Sequence, residues 1–319
     1  MTAGTLTRFR SGDIVEVRSF DEIRATLDAN GAFEGVAFME EMRRFCGRTL
    51  RVFKRADKVC VENAYFLDLR RMRNAVLLEE VRCDGSQHDG CKRMCLIFWK
   101  EAWLKPAATG ASPEEPPDWV SLHARSNGAT PRPIDPAKTY SCQATQLQAA
   151  TEQLRIWDPR HYLRDLRTRA IRPRDMLLVL FTTAYNKIAR SRKAHDFGKV
   201  VGTNQKTPAV SLGLRPGEFV RIKSKQEIAS TLDTRGKNRG LAFGDLEMAR
   251  HCGRTFPVLA RIDRMILEDC GKMKAIQNTV LLQGTTCSGL CFRGCARNGH
   301  GMWREAWLER VGTSGAPDA

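Results

Sequence analysis

No stretch of this 319-residue chain approaches the ~18 consecutive apolar residues that a membrane-crossing helix needs. The longest candidate, Met176 to Ala184 (MLLVLFTTA), is far too short. The opening MTAGTLTRFRSGDIVEV has neither an apolar core nor a small-residue cleavage pattern, so a cytoplasmic address is expected rather than a secreted one. Also missing are the G-x-S-x-G elbow, the phosphate loop G-x-x-x-x-G-K-[ST], H-E-x-x-H and G-x-G-x-x-G. Without them an ordinary hydrolase or nucleotide enzyme is not expected, and the reading leans away from catalysis. Acidic residues are outnumbered, 36 against 52 Lys and Arg, which leaves a formal charge of +16. Such an excess favours polyanionic partners, although a solvated basic surface is the plainer explanation.

Cysteine, by contrast, is plentiful. Eleven cysteines in a reducing compartment read as metal ligands or buried thiols, not as disulfides. They fall in two copies of one unit. GDIVEVRSFDEIRATLD (Gly12 to Asp28) lines up with GEFVRIKSKQEIASTLD (Gly217 to Asp233), FCGRTLRV with HCGRTFPV, NAVLL with NTVLL, and WKEAWL with WREAWL. The first unit spans residues 12–105 and the second 214–311. Between them lie a linker at 106–138, holding seven of the thirteen prolines, and a basic segment of helical character at 139–201. The linker composition predicts an exposed, flexible tether.

Within a unit, Ile14, Val15 and Val17 form a short β-prone run after a Gly-Asp turn. Ser19 is a plausible N-cap for a helix from Phe20 to Leu27, and Leu50 to Phe53 and Ala75 to Val81 read as strands. The expected fold class is α+β, with two small β-barrel-like units of the KOW or Src-homology type. Trp99 and Trp103, like Trp303 and Trp307, sit at i and i+4, which on a helix places both on one face. Core packing is the expected role, and a stacking platform for a ligand is the alternative.

RCDGSQHDGCKRMCLIFWKEAWL aligns without gaps onto TCSGLCFRGCARNGHGMWREAWL, so Cys83 matches Cys287 and Cys91 matches Cys295. Cys95 falls on Gly299, and Cys291 has no counterpart. A buried apolar thiol is free to become Ala or Val, whereas a ligand set must keep four donors around one point. The predicted sites are Cys60, Cys83, Cys91 and Cys95 in the first unit, and Cys270, Cys287, Cys291 and Cys295 in the second, with His300 as an alternative fourth ligand. Four thiolates suit structural zinc, and an iron–sulfur cluster is the alternative. Glycines at Gly85 and Gly90 let the loop close tightly. His88 reads as a loop residue, and Cys142 as a stray thiol or an extra ligand. Cys46 and Cys252 read as small buried thiols, the sharper option being activation by Arg48 or Arg254.

In the middle segment Arg155, Arg160, Arg164, Arg167, Arg169, Arg172 and Arg174 form a basic cluster. Met176, Leu177, Val179, Leu180, Ala184 and Ile188 follow as an apolar helix. A packing helix with a basic face is expected. An interfacial membrane helix and a phosphate-backbone contact surface are the alternatives.

GDIVEVRSFDEIRATLD, FCGRTLRVFKRADKVC and RRMRNAVLLEEVRCDGSQHDGCKRMCLIFWKEAWL, with CQATQL and WDPRHYLRDL, resemble a bacterial group of uncharacterised cysteine-rich proteins. The likeness covers about residues 12 to 193, and the second unit is a diverged copy departing at Cys291 and His300. The resemblance implies a setting near polysaccharide or specialised-metabolite genes and supports the cysteine frame, but it implies no activity. The function expected is a metal-stabilised tandem scaffold or accessory protein that binds a protein or polyanionic partner. The alternatives are an iron–sulfur accessory or redox enzyme and a nucleic-acid-binding protein.

Overall fold

The computed structural model describes residues 9–62, 67–126, 133–155, 158–192 and 194–311. Helices and strands are mixed, and two curled, barrel-like sheets dominate. The first sheet has the strand order Leu96–Lys100, Ala75–Arg82, Thr49–Arg55, Ile14–Val17, Leu104–Pro106, all antiparallel. The second repeats that order with His300–Arg304, Thr279–Thr286, Thr255–Arg261, Phe219–Ile222 and Leu308–Arg310. Register shifts recur at matching places, between Val52 and Lys54 and between Val258 and Ala260. Such bulges bend a strand and raise its twist, which is how a five-stranded sheet curls toward a barrel.

The local signals act as their chemistry dictates. Ser19 and Glu22 form a capping box on the helix Phe20–Arg24, and Ser224 and Glu227 do the same for Lys225–Ala229. The tryptophan blocks depart from the helical expectation. Trp99 lies in the strand Leu96–Lys100, one residue before its end, and Trp103 ends the 3-10 turn Glu101–Trp103. All five residues of that strand are buried, so the run LIFW is a strand covered on both faces and carries no helical periodicity. Trp99, Trp103, Trp303 and Trp307 are fully buried, which leaves no face for stacking a ligand. The indoles of Trp103 and Trp307 donate to Thr26 and Thr231 at 3.0 and 2.9 Å.

Beneath each sheet lies a charge pair in the same place. Arg55 and Glu101 are paired and almost fully buried, and Arg261 meets Glu305 at 2.6 Å. Each glutamate also accepts backbone amides from the chain entering its unit: Phe9 at 3.2 Å for Glu101, Gly213 at 3.1 Å for Glu305. The carboxylates thereby anchor the entry segments.

The proline-rich stretch is more ordered than its composition predicts. Trp119 starts the helix Trp119–Ser126 and is buried with Met94, Leu259 and Ile262, so one large aromatic pins the linker between the two units. Residues 127–132 of the linker lie outside the described residues. The basic segment forms the helices Pro159–Arg167 and Pro173–Ser191. Only part of the predicted apolar face packs. Met176 and Val179 are buried, while Leu177, Leu180 and Ile188 point outward with Phe181. Of the seven arginines, Arg164 alone is half-buried, 3.8 Å from Asp57, and the rest are exposed. No helix among the described residues is long and apolar enough to cross a membrane.

Candidate metal centre

In each unit a tight loop links the third and fourth strands of the five-stranded sheet in chain order, and the backbone builds it identically twice. Gly85 accepts from the amides of His88 and Gly90 at 2.9 and 3.0 Å, and Gly289 accepts from Phe292 and Gly294 at 3.1 and 2.9 Å. The loop base closes through Cys83 N to Cys95 O at 2.9 Å and Cys287 N to Gly299 O at 2.8 Å. Gly85 has φ +72° and Gly289 φ +79°, and a Cβ on either would collide with the carbonyl of Cys91 or Cys295. Glycine is therefore required at both positions.

Each loop docks on the other unit. Lys92 N donates to Arg264 O at 3.0 Å, and in mirror fashion Ala296 N donates to Lys58 O at 2.8 Å. Cys91 Sγ accepts from Ile266 N at 3.4 Å, and Cys295 Sγ accepts from Cys60 N at 3.1 Å. Cys60 is thus the counterpart of Ile266 and belongs to the surroundings of the second loop. Its predicted membership of the first site is corrected: the hairpin that carries it crosses to the partner unit. The Cys60 thiol bonds Cys295, which with burial pushes Cys60 well above the ordinary thiol value. Burial opposes ionisation of Cys295, yet the bond from Cys60 and the nearby Arg297 hold it below that value.

Cys83, Cys91 and Cys95 do line one cavity, of about 40 Å³, and the fourth cysteine on its wall is Cys142. Burial raises all three loop thiols, Cys95 to about 11. Among the described residues no three predicted cysteine ligands bring their sulfurs within 4.8 Å of one another. A tetrathiolate site of the predicted composition is therefore not assembled in either unit. In the second, Cys270 is exposed in a hairpin whose Ile266 and Met273 pack on Cys91 of the first loop and on Tyr140, and the Cys291 side chain lies outside the described residues. His300 lines a cavity together with Cys287.

What converges instead is a mixed set. Cys83 Sγ lies 3.0 Å from Glu41 Oε1 and 3.9 Å from His88 Nδ1, and His88 Nδ1 lies 3.4 Å from Glu41 Oε1. Around a tetrahedral zinc, sulfur and a nitrogen or oxygen ligand stand about 3.5 Å apart, and nitrogen and oxygen about 3.3 Å apart. The observed spacings bracket those values. Glu41 is 6% exposed, and its Oε2 has no hydrogen-bond partner among the described residues. A buried carboxylate oxygen left without a donor is costly unless something satisfies it. His88 is thereby a candidate ligand rather than a bystander, and Glu41, from the 3-10 helix Glu40–Phe45, was missed. A signal existed: Glu41-Met42 and Glu247-Met248 stand at the same distance before CGRT in both copies. In the second unit Phe292 replaces His88, and Glu247 binds Ser288 at 2.7 and 2.8 Å. Among the described residues the second unit has no equivalent triad.

Cys46 and Cys252 are half-buried, and burial raises both thiols, the opposite of activation by Arg48 or Arg254. Arg48 is engaged with Glu114 at 2.7 Å. No protein-family model matches this chain, and searches of curated proteins and of solved structures return no match.

Proposed function

We propose that the chain is a metal-stabilised tandem scaffold, its two units built on a small barrel of the KOW or Src-homology kind, with one zinc ion in the first unit. Glu41, Cys83 and His88 would hold the ion, and a cavity thiol, from Cys95 or Cys142, would complete four-coordination. The observation that carries this is the convergence of Cys83 Sγ, His88 Nδ1 and a Glu41 carboxylate oxygen within 4.8 Å, with the other oxygen of that buried carboxylate left without a partner among the described residues. Thiolate, imidazole and carboxylate together suit zinc, whereas iron–sulfur clusters take mainly thiolates. A cavity of about 40 Å³ is far below the ~300–1,000 Å³ of small-molecule sites, which favours a structural ion over a catalytic one. Bound there, the ion would fasten the 3-10 helix, the loop and the segment after Tyr140 to one point.

Elemental analysis of purified protein is expected to give one zinc per chain, falling at least fivefold in both Cys83→Ser and His88→Ala. Equal zinc in wild type and both variants, or none in the wild type, would overturn the assignment.

A protein partner is favoured over a polyanion by the outward face of Leu177, Leu180, Phe181 and Ile188, since a phosphate backbone offers nothing apolar to cover aliphatic side chains. Binding to a single-stranded oligonucleotide is then expected to be weak and unchanged when Arg160, Arg172 and Arg174 become glutamine. A steep inverse salt dependence that flattens in that variant would instead establish the polyanion reading.

A further inference from the structure

The two units differ at a second place where their frameworks agree. In the first, the segment after Tyr140 lies against the edge strand Leu96–Lys100, and Gln143, 6% exposed, inserts its carboxamide. Gln143 Oε1 accepts from Phe98 N at 2.8 Å, while Nε2 donates to Phe98 O at 3.0 Å and to Ala37 O at 2.8 Å. Its amide also rests 3.6 Å from Met42 Sδ. Leu147 follows into the core, fully buried.

The second unit has the same receiving groups and no insert. Met302 stands opposite Leu281 as Phe98 stands opposite Leu77. Met248 accepts the Gly244 amide at 3.1 Å as Met42 accepts that of Met39 at 3.2 Å. Among the described residues nothing takes the place of Gln143 on Met302 or Ala242. Both are correspondingly more open: Met302 is half-buried where Phe98 is buried, and Ala242 is exposed where Ala37 is half-buried. Beside them is a cavity of about 650 Å³ lined by Gly244, Met248, Cys287, Gly299, His300 and Gly301. Gly244, Cys287, Gly299, His300 and Gly301 are counterparts of Met39, Cys83, Cys95, Leu96 and Ile97, which line the 40 Å³ remnant in the first unit. Thr183 and Asn186 of the helix Pro173–Ser191 form the far wall.

We infer that this cleft is a peptide-binding site, anchored by a glutamine side chain presented as Gln143 is presented to the first unit. His300–Arg304 is an edge strand, and its outward N–H and C=O groups are the natural template for an added extended segment. The carboxamide supplies one acceptor and two donors, which match the N–H of Met302 and the carbonyls of Met302 and Ala242. A carboxylate in its place cannot donate and would face two carbonyl oxygens. The segment Lys138–Thr151 is a copy, carried in the chain, of the ligand class that the second unit accepts.

The test uses the full-length protein under reducing conditions and a fluorescent peptide of sequence KTYSCQATQLQAAT, with binding read by anisotropy. Saturable binding of one peptide per chain is expected. Changing the peptide's first glutamine to glutamate should weaken it at least tenfold, as should Gly299→Phe in the protein. The Cβ of residue 299 meets open space, so that variant fills the cleft without straining the fold. Should Gly299→Phe fold poorly, hydrogen exchange on wild type decides, because the Met302 amide must slow when peptide is added. The inference is overturned by absence of saturable binding, by equal affinity of the glutamate peptide, or by an unprotected Met302 amide. Binding that survives in well-folded Gly299→Phe would also overturn it, by placing the peptide on the first unit in exchange for its own segment.

Discussion

Gly85→Ala is expected to destabilise the protein by about 3–5 kcal/mol and to abolish binding of the ion proposed at Glu41, Cys83 and His88. Part of that cost is conformational, since alanine at φ +72° carries roughly 1–2 kcal/mol of strain. The remainder is the collision of the new Cβ with the Cys91 carbonyl. Cys91 has little freedom to retreat: its amide is bonded to His88 O at 3.1 Å, and its sulfur accepts Ile266 N from the other unit. Relief would require opening the loop, which withdraws His88 from Glu41 and undocks the units. Gly47→Ala is the control, with φ +77° and nothing within 4 Å of its Cβ. It should cost only the conformational part. Urea unfolding of both variants checks this, and equal losses would show that the loop yields and does not hold its carbonyl in place.

Glu101→Ala is expected to cost a comparable 3–5 kcal/mol, for an electrostatic reason. Its carboxylate, 1% exposed, neutralises Arg55 and accepts the Phe9 amide. Removal leaves a buried guanidinium with only Asp57 at 2.9 Å and the Phe9 carbonyl at 2.9 Å. Glu305→Ala should cost less on the charge side, because Arg261 is 32% exposed and water can replace the lost partner. A double change of Arg55→Met and Glu101→Leu should recover part of the loss, since a buried charge short of a partner costs more than an absent pair, while Asp57 keeps Arg71 at 3.6 Å and Arg164 at 3.8 Å. Thermal denaturation of the four proteins tests the set. A double variant no more stable than Glu101→Ala would show that the loss comes from packing and the Phe9 amide, not from charge.

Local elements were legible in the sequence because their causes are local. The Ser19 cap, the run Ile14–Val17 and the strand Ala75–Arg82 each follow from residues within one turn or one pleat. The tryptophan pairs misled because i and i+4 spacing also results from a strand followed by a single 3-10 turn. The cysteine loop was recognisable from its repeated glycines, but its neighbours were not. Cys60 precedes Cys83 in the chain, yet the hairpin that holds it docks on the opposite unit, a tertiary exchange that spacing does not encode. Glu41, Cys83 and Cys142 meet across gaps of 42 and 59 residues, and such convergence is a property of the curled sheet. Cys142-Gln143 carried one hint, the lack of any counterpart in the second copy. The reason for that lack is tertiary: Gln143 reaches Phe98 and Ala37 across 45 and 106 residues, which no local pattern announces.

X-ray absorption at the zinc edge is the most direct test of the central claim. A nearest shell of sulfur at about 2.3 Å mixed with nitrogen and oxygen at about 2.0 Å is expected, with the lighter-atom contribution reduced in His88→Ala. A shell of four sulfurs, or one unaltered by that substitution, would contradict a centre built on Glu41, Cys83 and His88.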